Sequence, residues 1–149
     1  MGGSQREDFL LRQAKDLAKL LSRIIGLRAS GAAEQAGAEL EQAYELLLGS
    51  QGELLRSVDA KTAAALVGSP VKLLAFARLL AEESAQSADP ARAAALRAHA
   101  VEIAVETASL GGMDGAMRDF LRELAPALDR GRLTREARDA LERAEDETP

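Results

Sequence analysis

The residues best suited to chemistry lie on one predicted helix in the second half of the chain. His99 is the only histidine, and Glu102 and Glu106 follow it at helical spacings of three and seven residues. One imidazole and two carboxylates on one flank of a helix form a donor set that suits a divalent metal. The alternative is a histidine at the edge of an apolar face with an ion-pairing glutamate beside it. Because single-helix triplets of this kind are common, we predict no metal site and no cofactor.

A second group of acidic residues, Glu82, Glu83 and Asp89, surrounds the junction between two predicted helices. Paired carboxylates perform acid–base catalysis when burial separates their pKa values. The neighbouring serine and glutamine residues indicate a solvated surface instead. No serine lies in a G-x-S-x-G sequence, and a single histidine argues against a catalytic triad. The glycines near residue 112 lack the lysine of a phosphate-binding loop. We therefore predict a protein that is not an enzyme.

Tyr44, the only tyrosine, is a candidate for binding a partner, since aromatic side chains are enriched among the residues that dominate binding energy. The alternative is a partly buried ring whose hydroxyl reaches the edge of the core. Met113, Met117 and Phe120 form a soft apolar stripe, which is more typical of a core than of a peptide-binding groove.

Composition excludes several classes of function. The net charge is −5, aromatic residues make up 3%, and no basic stripe is present, which argues against nucleic-acid binding. No apolar stretch approaches the roughly 20 residues that span a bilayer. The absence of cysteine excludes disulfides and thiolate sites and fits a cytoplasmic location.

Apolar residues recur at helical spacing along the whole chain, and no strand alternation is found. The pattern predicts a single domain over 1–149, with frayed ends at 1–7 and 146–149. The predicted helices are 5–30, 32–48, 53–56, a short helix ending at 67, 70–87, 90–110, one that begins at Asp114 and includes Leu128, and one that follows Thr134. Ser69-Pro70, Asp89-Pro90, Asp114 and Thr134 are the expected helix starts.

One segment occurs twice, fifty-seven residues apart, at 31–45 and 88–102. Ala36 aligns with Ala93, and Ala43 aligns with Ala100. Each copy follows a long apolar helical pattern and begins another, so the repeat predicts two helical hairpins whose small residues let helices approach closely. The first helix is apolar over an unusually wide face, which must be covered by later helices or by a second copy of the chain.

The small and apolar residues at these positions resemble a tetratricopeptide hairpin. They are Gly31, Ala36, Leu40 and Ala43 in the first pair and Leu80, Ala81, Ala93 and Ala100 in the second. Ser84 and Arg97 stand where that motif prefers bulky residues. The chain from Asp8 to Glu106 also resembles a group of small bacterial proteins with tetratricopeptide-like helices. This resemblance implies an all-α fold and carries over no catalytic or ligand-binding residues.

We predict an all-α fold of six to seven helices, arranged as tetratricopeptide-like hairpins in a compact right-handed array or bundle. The function we expect is a non-catalytic module for protein–protein interaction or self-association, with a protein, a peptide or a second copy (a homodimer) as partner. Its candidate partner-binding residues are Tyr44, Arg97, His99 and Glu102. The alternative is a small-molecule-binding or enzymatic bundle with a pocket near His99 and Glu102.

Overall fold

The fold is helical throughout the part of the chain that the computed structural model describes, residues 2–147, and that part contains no β-strand. The elements in chain order are α1 (Gly2–Ala29), α2 (Ala33–Leu48), α3 (Gly52–Ser57), α4 (Ala60–Val67), α5 (Pro70–Gln86), α6 (Pro90–Glu106), α7 (Asp114–Leu124) and α8 (Arg135–Asp146). Short 3-10 turns lie at Gly49–Gln51, Thr107–Leu110, Ala125–Ala127 and Arg130–Arg132. The predicted all-α class is confirmed, as is a count of about seven helices, since α3 has only six residues and the other seven have eight or more.

Three of the predicted helix starts have the expected capping chemistry. The side chain of Ser69 accepts a hydrogen bond from the backbone N–H of Lys72 at 3.2 Å, and Pro70 occupies the first turn of α5. Asp89 caps α6 in the same way, through the N–H of Ala91. Thr134 likewise caps α8. Each cap satisfies a backbone donor that has no partner within its helix.

Other boundaries differ from the prediction. Helix α1 begins at Gly2, three residues before the predicted start at Gln5. The fraying of 1–7 and 146–149 stays a prediction, and residues 1, 148 and 149 lie outside the described range. Asp114 is the first helical residue of α7 and does not cap it; Met113 precedes it with a left-handed backbone. Helix α7 ends at Leu124, short of Leu128, because Pro126 has no N–H with which to continue the ladder.

The helices pair as the repeat predicts. α1 with α2 and α5 with α6 form two hairpins, α3 and α4 are inserted between them, and α7 packs against α8. The two copies of the repeated segment open α2 and α6. Their aligned alanines have matching burial, since Ala36, Ala93, Ala43 and Ala100 are all buried. Side chains this small allow the helix axes to approach closely, so the repeated residues serve the same packing purpose in both hairpins.

Helix α5 lies at the centre of the molecule and packs against α1, α2 and α6. Leu73, Phe76 and Leu80 on its buried faces are at most 1% exposed. Helix α7 packs on α6, on α8 and on the 107–110 turn. One edge of α5, which carries Val71, Ala75 and Arg78, is therefore left only partly covered.

A candidate helix-binding groove over α5

A groove runs along the partly covered edge of α5, between α1 on one side and the start of α7 on the other. Ala14 and Ala18 of α1 form one wall, Val71 and Ala75 of α5 lie on the floor, and Ala116 of α7 lies on the opposite side. The groove has a volume of about 120 Å³ and is open to solvent. We call this feature the α5 groove.

The α5 groove is narrow and apolar because of the residue types that line it. Ala14, Ala18, Ala75 and Ala116 contribute only methyl groups, and Leu21 widens the apolar wall of α1. Side chains as small as alanine let the axis of another helix come close to those of the lining helices. The lining is thus suited to an apolar helix face and offers no oxygen cluster to a polar ligand.

The α5 groove continues past its open end into a second depression of about 590 Å³. Val71 and Met113 line both, and Leu10 and Leu11 of α1 extend the apolar wall. Leu11 is 52% exposed, and Phe9 beyond it is 59% exposed. Large apolar side chains left open to solvent beside an apolar groove are typical of interaction surfaces.

Met113 lies at the junction of the two depressions in a strained conformation. Its φ of 65° is the one positive value for a residue other than glycine within residues 2–147. A left-handed backbone costs an L-residue roughly 1–2 kcal/mol, and such strain concentrates at functional positions. The conformation follows two glycines, Gly111 and Gly112, that also have positive φ, and it turns the chain into α7.

One charged side chain lines the α5 groove. Arg78 is half-buried, and its guanidinium lies 5.4 Å from the centroid of the Phe120 ring. Among the described side chains, no carboxylate lies within 4.0 Å of it. Lys15 follows Ala14 on α1, is exposed, and likewise has no carboxylate partner in the described part of the chain. The groove therefore has cations beside an apolar lining.

A contrasting polar cluster surrounds Glu83 and joins α2, α3, α5 and α6. The Tyr44 hydroxyl donates to Oε1 of Glu83 at 2.7 Å, Arg56 donates to the same oxygen at 2.9 Å, and Arg92 donates to Oε2 at 2.8 Å. Arg56 also lies 3.9 Å above the Tyr44 ring. We call these four residues the Glu83 network. Burial raises the pKa of Tyr44 far above its ordinary value, and the hydrogen bond to Glu83 raises this pKa further.

Of the two interpretations of Tyr44, its burial favours the ring at the edge of the core. Tyr44 is 2% exposed, and its ring makes an edge contact with Phe76 at 6.3 Å. The covering residues Arg56 and Glu83 come from helices distant in sequence, so helical spacing gave no indication of them. Tyr44 thus stabilises the packing of the first hairpin on the second.

The expectation of a solvated surface is wrong for Glu82, whereas Glu83 is partly buried. Glu82 is 4% exposed and receives two hydrogen bonds from Arg28, at 2.9 and 3.1 Å, and one from Gln86 at 3.0 Å. Both carboxylates are surrounded by donors, and Asp89 is engaged as a helix cap. The arrangement holds the two hairpins together, and Glu83 also lines an open depression of about 390 Å³ beside Arg56 and Arg92.

The three remaining candidates, Arg97, His99 and Glu102, all belong to α6. Arg97 donates to the carbonyl oxygen of Ala127 at 2.9 Å. Glu102 accepts hydrogen bonds from the N–H and the hydroxyl of Thr134, at 2.9 and 3.0 Å. Both residues therefore hold the segment between α7 and α8 against α6.

His99 is half-buried, and its Nε2 is buried without a hydrogen-bond partner. Burial lowers the pKa of His99, while the carboxylates of Glu102 and Asp59 act in the opposite direction. The third member of the predicted donor set, Glu106, binds Lys61 at 3.2 Å. Over the described range, no three acidic, histidine or cysteine side chains are grouped so that they would hold a metal ion.

The sequence prediction missed the α5 groove and Arg78, although part of the signal was present. The expected stripe of Met113, Met117 and Phe120 is divided: Phe120 is 3% exposed in the core, whereas Met113 lines the groove. The wide apolar face of α1 did indicate a surface needing cover on two sides. Which part of that face stays open depends on the positions of α5 and α7.

Comparisons with known protein families, with curated proteins and with solved structures found no match to this chain. None of the helices within residues 2–147 combines the length and the apolar character needed to cross a membrane.

Proposed function

We propose that this protein is a non-catalytic interaction module whose α5 groove binds a helix of a protein partner. The observation that carries the proposal is the open apolar groove walled by alanines of α1, α5 and α7. Helix-in-groove recognition places apolar residues at i, i+3 or i+4 and i+7 of a bound helix against such a surface. We further propose that the two hairpins are tetratricopeptide-like and that the protein acts in the cytoplasm.

The polar chemistry of the molecule supports a binding role over a catalytic one. Glu82, Glu83 and Glu102 each accept hydrogen bonds from neighbouring residues, which commits them to holding helices together. Neither depression of the groove region is lined by His99 or Glu102. The α5 groove itself is lined mainly by apolar side chains, and apolar area is what helix capture requires.

The test is site-specific photo-crosslinking in the cells that naturally produce the protein. A photoreactive phenylalanine analogue replaces Ala18 in the groove, and the matched control replaces Ala38, which is exposed on α2 outside it. We expect a discrete protein adduct at position 18 and none at position 38. The adduct should disappear when Ala75→Glu places a charge on the groove floor. Adducts that are equal at both positions, or unaffected by Ala75→Glu, would show that the groove is not a binding site.

A further inference from the structure

We infer that the helix bound by the α5 groove is acidic, carrying carboxylates beside its apolar face, and that Arg78 and Lys15 bind those carboxylates. This inference rests on the proposed function and adds the chemistry of the partner. Its basis is the set of charges around the groove together with the groove's shape.

Arg78 differs from the other partly covered arginines, because each of those has an oxygen partner. Arg97 and Arg138 donate to backbone carbonyl oxygens, and the others pair with carboxylates. Arg28, Arg56 and Arg122 have side chains 37%, 23% and 28% exposed, and each pairs with at least one carboxylate. Arg78 is half-buried as well, yet its guanidinium faces the Phe120 ring and has no carboxylate partner among the described side chains. A cation that has lost part of its hydration gains most from an incoming anion, because the partly apolar surroundings strengthen the attraction.

Lys15 places a second cation on the α1 side of the same groove. It lies four residues after Leu11 and three before Ala18, and both of these residues line the groove region. At this spacing Lys15 stands at the outer edge of the α1 wall. A helix flanked by lysine or arginine would meet two like charges there, whereas glutamate or aspartate would find two partners.

The length of the groove region along α1 matches about three turns of helix. From Leu10 to Leu21, the lining of α1 extends over about 17 Å at 1.5 Å per residue. The alanine walls leave room for an apolar helix face, and Met113 provides a side chain that adapts to the residues opposite. An extended peptide would leave its backbone N–H and C=O groups without partners against this lining.

The net charge of the whole chain and the cations beside the groove predict opposite preferences for a charged peptide. At −5, the protein repels an acidic peptide at long range. A preference for an acidic helix over a basic one must therefore arise from local cations. Non-specific electrostatics would produce the opposite preference.

The experiment uses two stapled helical peptides of identical apolar stripe, one flanked by glutamates and the other by lysines. Binding to the full chain is measured by fluorescence anisotropy. We expect the glutamate peptide to bind about tenfold more tightly, the effect of one or two partly desolvated ion pairs. Arg78→Leu should remove this advantage and Arg78→Glu should reverse it. Arg143→Glu, an identical charge change at an exposed site of α8, should leave the advantage intact.

The remaining outcomes separate this inference from the proposed function. Equal or tighter binding of the lysine peptide, lost with Ala75→Glu, would overturn the acidic partner and leave the groove as a binding site. Failure of both peptides, with position 18 crosslinking to a second copy of the chain, would identify self-association and overturn the acidic partner. Failure of both peptides without any adduct at position 18 would overturn both proposals.

Discussion

The α5 groove and the Glu83 network both include residues of the central helix α5, but their charged side chains differ in whether they have partners of opposite charge. In the network, one carboxylate of α5 receives hydrogen bonds from Tyr44, Arg56 and Arg92. In the groove, Arg78 of α5 has an aromatic ring beside it and no carboxylate among the described residues. A satisfied polar cluster stabilises a fold, whereas an unpaired, partly buried cation beside apolar surface is suited to an external partner. This difference separates the side of α5 that holds the helices together from the side that we propose binds a partner.

The largest effect expected from this comparison is on the free energy of unfolding. Glu83→Ala removes the acceptor shared by three donors and leaves the buried Tyr44 hydroxyl without a partner, so we expect a loss of about 3 kcal/mol. Arg78→Leu, on the groove side of the same helix, should change stability by less than about 0.5 kcal/mol. Urea unfolding followed by circular dichroism measures both. Comparable losses for the two variants would contradict the division of α5 into two roles.

Tyr44→Phe should have a smaller effect within the same network. It removes one hydroxyl but keeps the ring under Arg56 and against Phe76, so a loss of about 1 kcal/mol is expected. Tyr44→Leu should cost more, because the aromatic contacts are lost too. If Tyr44→Phe proves neutral in the same unfolding measurement, the hydrogen bond to Glu83 does not contribute to stability.

On the groove side, Met113 allows the cost of local strain to be measured. Met113→Val places a β-branched residue at φ of 65° and should lower stability by about 1 kcal/mol. Met113→Gly relieves the strain but increases the conformational freedom of the unfolded chain, so these two terms nearly cancel. Thermal unfolding of both variants gives the comparison. A glycine variant less stable than the valine variant would show that side-chain packing, and not backbone conformation, dominates at Met113.

The smallest expected effect concerns His99. Its buried Nε2 has no hydrogen-bond partner, in contrast to the polar atoms around Glu83. Burial lowers the pKa of His99 below 6.5, its ordinary value. Above pH 6.5 the imidazole is neutral in both folded and unfolded chains, and it adds no pH dependence. As the pH falls below 6.5, the unfolded chain takes up the proton first, so stability decreases until the pH passes the folded pKa.

His99→Gln provides the matched control for this pH dependence, because glutamine does not titrate. Stability should fall less between pH 7.5 and 5.5 in the variant than in the wild type, as measured by urea unfolding at each pH. An identical decrease in both proteins would mean that other groups carry the acid sensitivity.

Local patterns predicted the helices well because their causes are local. Ser69-Pro70 and Asp89-Pro90 start α5 and α6 through bonds to residues two or three positions ahead. The repeated alanines predicted the two hairpins, since each hairpin needs close contact at equivalent positions. The prediction was wrong for Leu128 and Asp114, where a proline and a left-handed residue change the backbone within a few positions.

Helical patterns predicted far less about the surroundings of the candidate site residues. The sequence left Tyr44 either at a binding surface or at the edge of the core, because its own helix pattern shows only which face it lies on. Its true neighbours, Arg56 and Glu83, are 12 and 39 positions away in the chain. Glu82 is paired with Arg28 over 54 positions. Helical periodicity contains no information about which distant side chain covers a given face.

The sequence by itself determined the all-α class, the capped starts of α5, α6 and α8, and the need to cover a wide apolar face on α1. Periodicity, capping and small-residue spacing act within a few residues, so they can be read along the chain. Only the tertiary structure decided that Glu83 is enclosed by donors while Arg78 and the alanine-lined edge of α5 stay open. Pairing of charges and covering of apolar area depend on where α1, α6 and α7 pack around α5, which is settled by contacts distant in sequence.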